Sequence, residues 1–101
     1  MKNIAIIGSG SWGVALAIHL AKLGNNIKIW SFLEEERDLI NNEKKCKFLP
    51  NVVIPDSIEC TTSFKEAIEG SDFIIHVTPS KFTRNIVKQY EQYVTNQPIV
   101  I

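Results

Sequence analysis

Apolar residues in this chain follow two alternating rhythms. Ile4–Ile7 is an unbroken apolar run, too short for a helix and rich in β-branched side chains, as suits a strand covered on both faces. From Ser11 to Leu23 the apolar positions recur at helical steps. Leu16, Leu20 and Leu23 mark one stripe, Val14, Ala17, Ile18 and Ala21 another, and His19 with Lys22 falls on the remaining polar face. Gly24 is the expected cap of that helix. Ile27–Trp30 reads as a second strand. Ser31 and Glu34 then have the spacing of a capping box and predict a second helix running toward Asn42. Pro50 and Pro55 punctuate the next stretch, before a short strand over Ile58–Thr61. Ser63 and Glu66 repeat the capping-box spacing ahead of a short helix that ends at Gly70. Asp72–Val77 reads as another buried strand. Pro79-Ser80 opens a helix with Phe82, Ile86 and Tyr90 at four-residue steps, and Pro98–Ile101 begins a further apolar strand. Strands alternating with helices predict an α/β fold with a parallel sheet and right-handed crossovers. A sheet seldom stops inside an apolar strand, so residues 1–101 are expected to be the front, incomplete part of a longer protein.

The junction of the first strand and helix carries the strongest chemistry. Gly8, Gly10 and Gly13 form G-x-G-x-x-G between a strand and a helix, the context in which that spacing marks a dinucleotide-binding turn of a Rossmann-type domain. Gly8 is read as the tight turn, Gly10 as the place where a pyrophosphate meets bare backbone, and Gly13 as the close helix–strand contact. The free N–H groups of the first helical turn, with the positive end of the helix dipole, would face the phosphates.

Composition narrows the remaining classes. Hydrophobic residues make up 45% of the 101 and charged ones 22%, the proportions of a globular domain. Eleven basic side chains balance eleven acidic ones, so no field draws nucleic acid or an anionic membrane. The apolar runs are too short to insert in a membrane, and Met1-Lys2-Asn3 leads straight into a strand without a signal peptide, so a cytoplasmic protein is expected. Cys46 and Cys60 match no metal spacing; both are expected to be reduced, and Cys60 to be a small core residue.

Beyond the glycines, the run Gly8-Ser9-Gly10-Ser11-Trp12-Gly13-Val14-Ala15-Leu16-Ala17 resembles the opening of the NAD(P)-dependent sn-glycerol-3-phosphate dehydrogenases. Three segments match in order: Ile29-Trp30-Ser31-Phe32, then Phe48-Leu49-Pro50 with Pro55, then Val77-Thr78-Pro79-Ser80 with Arg84. Trp12 inside the turn is the most specific element. Val14, Phe48 and Asn51 depart from the family's common threonine, tyrosine and glycine, and none touches the phosphate turn. The resemblance implies a cofactor-binding domain over 1–101 that serves the interconversion of dihydroxyacetone phosphate and sn-glycerol 3-phosphate. It also implies a following helical domain that supplies the catalytic lysine, most contacts to the small phosphorylated substrate and a homodimer contact. No catalytic residue is assigned within this chain, and no metal ligand.

The cofactor-binding candidates are Gly8, Ser9, Gly10, Ser11, Trp12, Gly13, Ser31, Phe32, Pro79 and Phe82. Trp12 is placed beside the cofactor or cleft in preference to the core. Phe32 is either an adenosine contact or the first apolar residue of the next helix. Pro79 and Ser80 cap a helix on the ligand side. Phe82 lies toward the nicotinamide by resemblance and toward the core by spacing. His76 is read as a hydrogen-bonded core residue and Arg84 as solvated or at an interface. An NAD-specific second strand usually ends in an acid that binds the ribose hydroxyls, whereas Trp30-Ser31-Phe32 offers neither acid nor arginine. Arg37 lies well into the helix and Glu34–Glu36 oppose a 2′-phosphate, so NAD is favoured over NADP while both stay open. Two other classes remain: a dehydrogenase of the ketopantoate reductase or hydroxyacyl-CoA dehydrogenase type, and a non-catalytic NAD(H)-sensing module.

Overall fold

The first strand is apolar on both faces and therefore lies at the centre of the sheet. In the computed structural model, which describes residues 2–46, 49, 51–78 and 83–100, β1 (Asn3–Ile7) pairs in parallel with β2 (Asn26–Trp30) on one side and β4 (Phe73–His76) on the other. Outside these lie β3 (Ile58–Thr61), next to β2, and β5 (Ile99–Val100), next to β4, giving the order β3-β2-β1-β4-β5. The chain winds outward from β1 to β3, then crosses back to start again at β4, so the order reverses between β1 and β4. Alternate residues of β1 serve opposite cores. Ile4 and Ile6 pack with Val14 and Ala17 of α1 (Ser11–Lys22), while Ala5 and Ile7 pack with Ala67 and Ile68 of α3 (Phe64–Ile68) and Ile86 and Tyr90 of α4 (Thr83–Tyr90). The expected Rossmann-type parallel sheet with helices on both faces is what forms.

Helix ends show where local chemistry decides and where packing does. At the end of α1, Gly24 takes φ +96°, and the amides of Gly24 and Asn25 donate to the carbonyls of Ala21 and Leu20, a Schellman closure. Leu23, placed in the apolar stripe, is instead 67% exposed because it is the cap residue, past the last helical turn over the sheet. His19 is exposed, as its face predicts. Ser63 caps α3 by accepting the Glu66 amide at 3.3 Å, but the Glu66 carboxylate accepts from the Thr61 hydroxyl at 2.8 Å, so only half the box forms there.

The Ser31–Glu34 box does not form. α2 (Glu34–Asp38) begins two residues later than that spacing implies, with Leu33 as its cap residue and Ser31 buried, its Oγ accepting the Leu33 amide at 3.1 Å. A π-helical turn over Leu39–Glu43 continues α2 and ends at Lys44 in the left-handed region. That turn sets Ile40 in the core and brings Asn41 beside β3. There its amide group donates to the Cys60 carbonyl at 2.8 Å and accepts the Cys60 amide at 2.7 Å, occupying the edge a further strand would take. Phe48, Pro50, Pro79, Ser80 and Phe82 lie outside the described residues.

β4 and α4 are joined by a buried polar contact. His76 Nδ1 is hydrogen-bonded to the Tyr90 hydroxyl at 3.0 Å, and Nε2 to the Thr78 hydroxyl. Burial lowers the His76 pKa from its ordinary 6.5 and raises that of Tyr90, so both favour the neutral form at pH 7. A histidine whose folded pKa is depressed binds a proton more readily when unfolded. Its contribution is therefore present above pH 6.5 and lost as pH falls through the window below it. His76→Asn should flatten the fall of the denaturation midpoint between about pH 7 and pH 5, measured by thermal melts followed by circular dichroism. An unchanged slope would mean that the carboxylates alone set the acid limit.

Candidate functional site

The loops at the carboxyl ends of β1, β2 and β4 meet where the strand order reverses, the crevice in which open α/β sheets hold ligands. Three glycines shape its floor, each for a different reason. Gly8 takes φ +133°, and a Cβ there would lie 2.8 Å from the Val77 carbonyl oxygen. At Gly13 a Cβ would lie 2.5 Å from the Gly8 carbonyl oxygen, so α1 sits against the end of β1 at a distance only glycine allows. Gly10 is unlike both: its φ of −70° suits any residue, and among the described residues nothing beyond its chain neighbours lies within 4 Å of its would-be Cβ. The packing of the described residues explains Gly8 and Gly13 but leaves open space in front of Gly10.

That space faces the start of α1. The first amides of a helix have no intrahelical acceptor. Gly10, the residue before the helix, has no side chain to offer one, and no acidic residue stands in the first turn. Donors, dipole and open backbone thus fit a phosphate group. Trp12 stands on the same turn, 82% exposed, and is not a core aromatic. Ser11 is exposed next to it.

The end of β2 forms the neighbouring wall. Phe32 is 69% exposed and sets its edge against Trp30 at 5.3 Å between ring centroids. Trp30 stacks on Phe64 at 4.2 Å and donates from Nε1 to the Thr62 carbonyl at 3.1 Å. Phe32 is therefore neither a buried helix contact nor detached from the fold. Ser31 is fully buried beside Ser9, their hydroxyl oxygens 3.1 Å apart. Ser9 Oγ also donates to Glu36 Oε2 at 2.9 Å, and Ser31 Oγ reaches Glu36 Oε1 at 3.4 Å.

The sequence reading counted Glu36 only as one of three charges, Glu34–Glu36, opposing a 2′-phosphate, and missed that it alone of the three bonds to Ser9 and Ser31. The end of β2 carries no acid in sequence, yet α2 returns a carboxylate to the loops that follow β1 and β2. Two serines at strand ends and a glutamate five residues beyond the second were the available signal. Arg37 points elsewhere: its Nε donates to Asp38 at 3.1 Å and its Nη1 to the Thr62 hydroxyl at 3.5 Å. Cys60 is buried, and burial, followed by the charge of Glu36, pushes its thiol pKa up to about 12, so it stays protonated in the core. A hollow of about 230 Å³ at the amino ends of β1 and β2, bordered by Asn3, Asn26 and Lys28, lies at the opposite end of the sheet from the glycine turn.

Known proteins share this arrangement. Residues 3–101 match the protein family described as the NAD-dependent glycerol-3-phosphate dehydrogenase N-terminus. A glycerol-3-phosphate dehydrogenase [NAD(P)+] of Fusobacterium nucleatum is 40% identical over 103 residues, covering 100% of this chain and 30% of the relative. The Bacillus pumilus enzyme of the same name is 39% identical over 98 residues, covering 96% of this chain and 28% of the relative. The crystal structure of glycerol-3-phosphate dehydrogenase from Coxiella burnetii superposes with a TM-score of 0.91 at 30% identity, over 97% of this chain and 31% of that one. The chain thus spans about 30% of the length of the curated relatives it matches.

The three glycines should separate in experiment. Gly10→Val should fold with a stability change below about 1 kcal/mol, since its Cβ meets no described residue beyond its chain neighbours. Its affinity for NADH should nevertheless fall at least about a hundredfold, because the side chain fills the phosphate's space. Gly13→Ala should lose on the order of 3 kcal/mol of stability, through a backbone clash. Calorimetric titration and urea unfolding of both variants check this; undiminished NADH binding by a folded Gly10→Val would remove the phosphate site.

Proposed function

This chain belongs to the family of the NAD-dependent glycerol-3-phosphate dehydrogenase N-terminus, and from that premise we propose that it is the cofactor-binding part of an enzyme interconverting dihydroxyacetone phosphate and sn-glycerol 3-phosphate. The observation that carries the reading is the open space in front of Gly10 at the start of α1. In this reading the backbone of Gly8, Ser9, Gly10, Ser11, Trp12 and Gly13 cradles the pyrophosphate. Ser31 and Phe32 border the adenosine, and Phe32 offers its exposed ring as a flat contact. The exposed Trp12 walls the cleft on the substrate side and excludes water from it. Pro79 and Phe82, outside the described residues, follow β4 and take the nicotinamide side. The nicotinamide, when bound, supplies the hydride that reduces the ketone carbon of dihydroxyacetone phosphate, or takes it back from the alcohol carbon.

Proton transfer and substrate binding fall to groups outside this chain. His76 is the described side chain nearest to general-base chemistry, and both its ring nitrogens are taken up by Tyr90 and Thr78. A following helical domain supplies the catalytic lysine and the contacts to the phosphorylated substrate, and the parent enzyme works in the cytoplasm.

The test uses the chain alone and the full-length protein. The 101 residues should bind NADH yet show no turnover with dihydroxyacetone phosphate, while the full-length protein oxidises NADH when that substrate is added. Purified full-length protein that ignores dihydroxyacetone phosphate but reduces a 3-ketoacyl thioester or ketopantoate would overturn the assignment. Full-length protein that binds NADH and turns over no ketone would favour a sensing module.

A further inference from the structure

We propose that Glu36 is the residue that sets cofactor preference, accepting the adenosine ribose hydroxyls and excluding a 2′-phosphate, so that the chain selects NAD(H) over NADP(H). The inference rests on the dinucleotide site described above and adds a residue outside the glycine turn and outside β2. Its basis is position and bonding. Ser9 lies two residues past β1 and Ser31 follows β2 directly, so their paired hydroxyls mark where the two neighbouring strands end on the ligand side. Glu36 is seated on that pair, taking Ser9 Oγ on one oxygen at 2.9 Å and Ser31 Oγ on the other at 3.4 Å.

The seat leaves the carboxylate able to do more. A carboxylate has about four acceptor positions; Ser9 takes one, and Ser31, whose single proton is shared between Glu36 at 3.4 Å and the Leu33 carbonyl at 3.3 Å, takes at most one more. Both serines are buried, whereas Glu36 is half-exposed, so the carboxylate is not sealed off with them. An acid at the end of the second strand ordinarily binds the ribose hydroxyls of NAD. Here Trp30-Ser31-Phe32 lacks one, and the fold returns it from the first turns of α2. A 2′-phosphate would bring nearly two negative charges against this carboxylate. The nearest guanidinium, Arg37, is held by Asp38 and Thr62 rather than by Ser9 or Ser31. Glu34 and Glu35 are exposed and add only screened charge.

A latch that merely fixes α2 to the strand ends would make a different prediction from a specificity residue. Loss of a latch weakens both cofactors together; loss of a specificity residue moves them in opposite directions. Titration of the chain with NADH and with NADPH, at low and at physiological salt, reads the difference. The unmodified chain should bind NADH more tightly than NADPH. Glu36→Gln should bind NADH about tenfold more weakly and NADPH several-fold more tightly, a ratio change that persists in salt. Glu35→Gln, which removes a neighbouring charge without touching either serine, should leave the ratio within about twofold. Parallel losses for both cofactors in a folded Glu36→Gln, or an equal effect of Glu35→Gln, would overturn the proposal and leave the dinucleotide site standing. Binding of neither cofactor by the unmodified, folded chain would overturn that site as well.

Discussion

The contact on which the rest of this structure depends is the one between Gly13 and the Gly8 carbonyl. A Cβ at Gly13 would come within 2.5 Å of that oxygen, so the first turn of α1 lies directly on the end of β1. Because β1 is the central strand, the start of α1 is fixed at the point where the sheet reverses order. The helix's unpaired amides then face the same crevice as the ends of β2 and β4. A helix held farther off by a side chain would still cover the apolar face of the sheet. Its donors would not converge with Ser31 and Thr78, and the site would be lost while the fold survived.

Much of this was legible because local rules and packing agree. The Ile4–Ile7 run, the Gly24 closure and the strand at Ile58–Thr61 all form where their patterns place them. Each is specified by residues within a few positions of itself, or by a face that is apolar on both sides. The glycine turn was legible for the same reason, since strand, turn and helix are contiguous in sequence.

What was not legible depends on contacts made across the fold. Ser31 and Glu34 have capping-box spacing, yet Ser31 is drawn into the core by Ser9 and accepts the Leu33 amide instead. That hydroxyl cannot also cap a helix from outside it, so α2 starts later with Leu33 as its cap residue. The π-helical turn after it has no local signature either. It follows from the need to put Ile40 inward and Asn41 on the β3 edge within one short segment. Glu36 belongs to the same class. Its spacing from Ser31 hardly separates it from Glu34 and Glu35 along the chain; the meeting of β1 and β2 does.

The two sides of the sheet divide their work accordingly. On one side α1 lies close at Gly13, and mostly aliphatic side chains form the core. On the other, Trp30, Phe64 and Tyr90 run in contact from the Phe32 edge to His76. The aromatic layer therefore links the wall at the end of β2 to the end of β4, the strand beside the reversal point. Its polar ends are all bonded: Trp30 to the Thr62 carbonyl, Tyr90 to His76, and His76 to Thr78. Buried networks satisfied in this way hold one arrangement of side chains rather than several. Both walls of the crevice are thus anchored in one bonded layer of the core, while the glycine turn that forms the floor packs through α1 on the other.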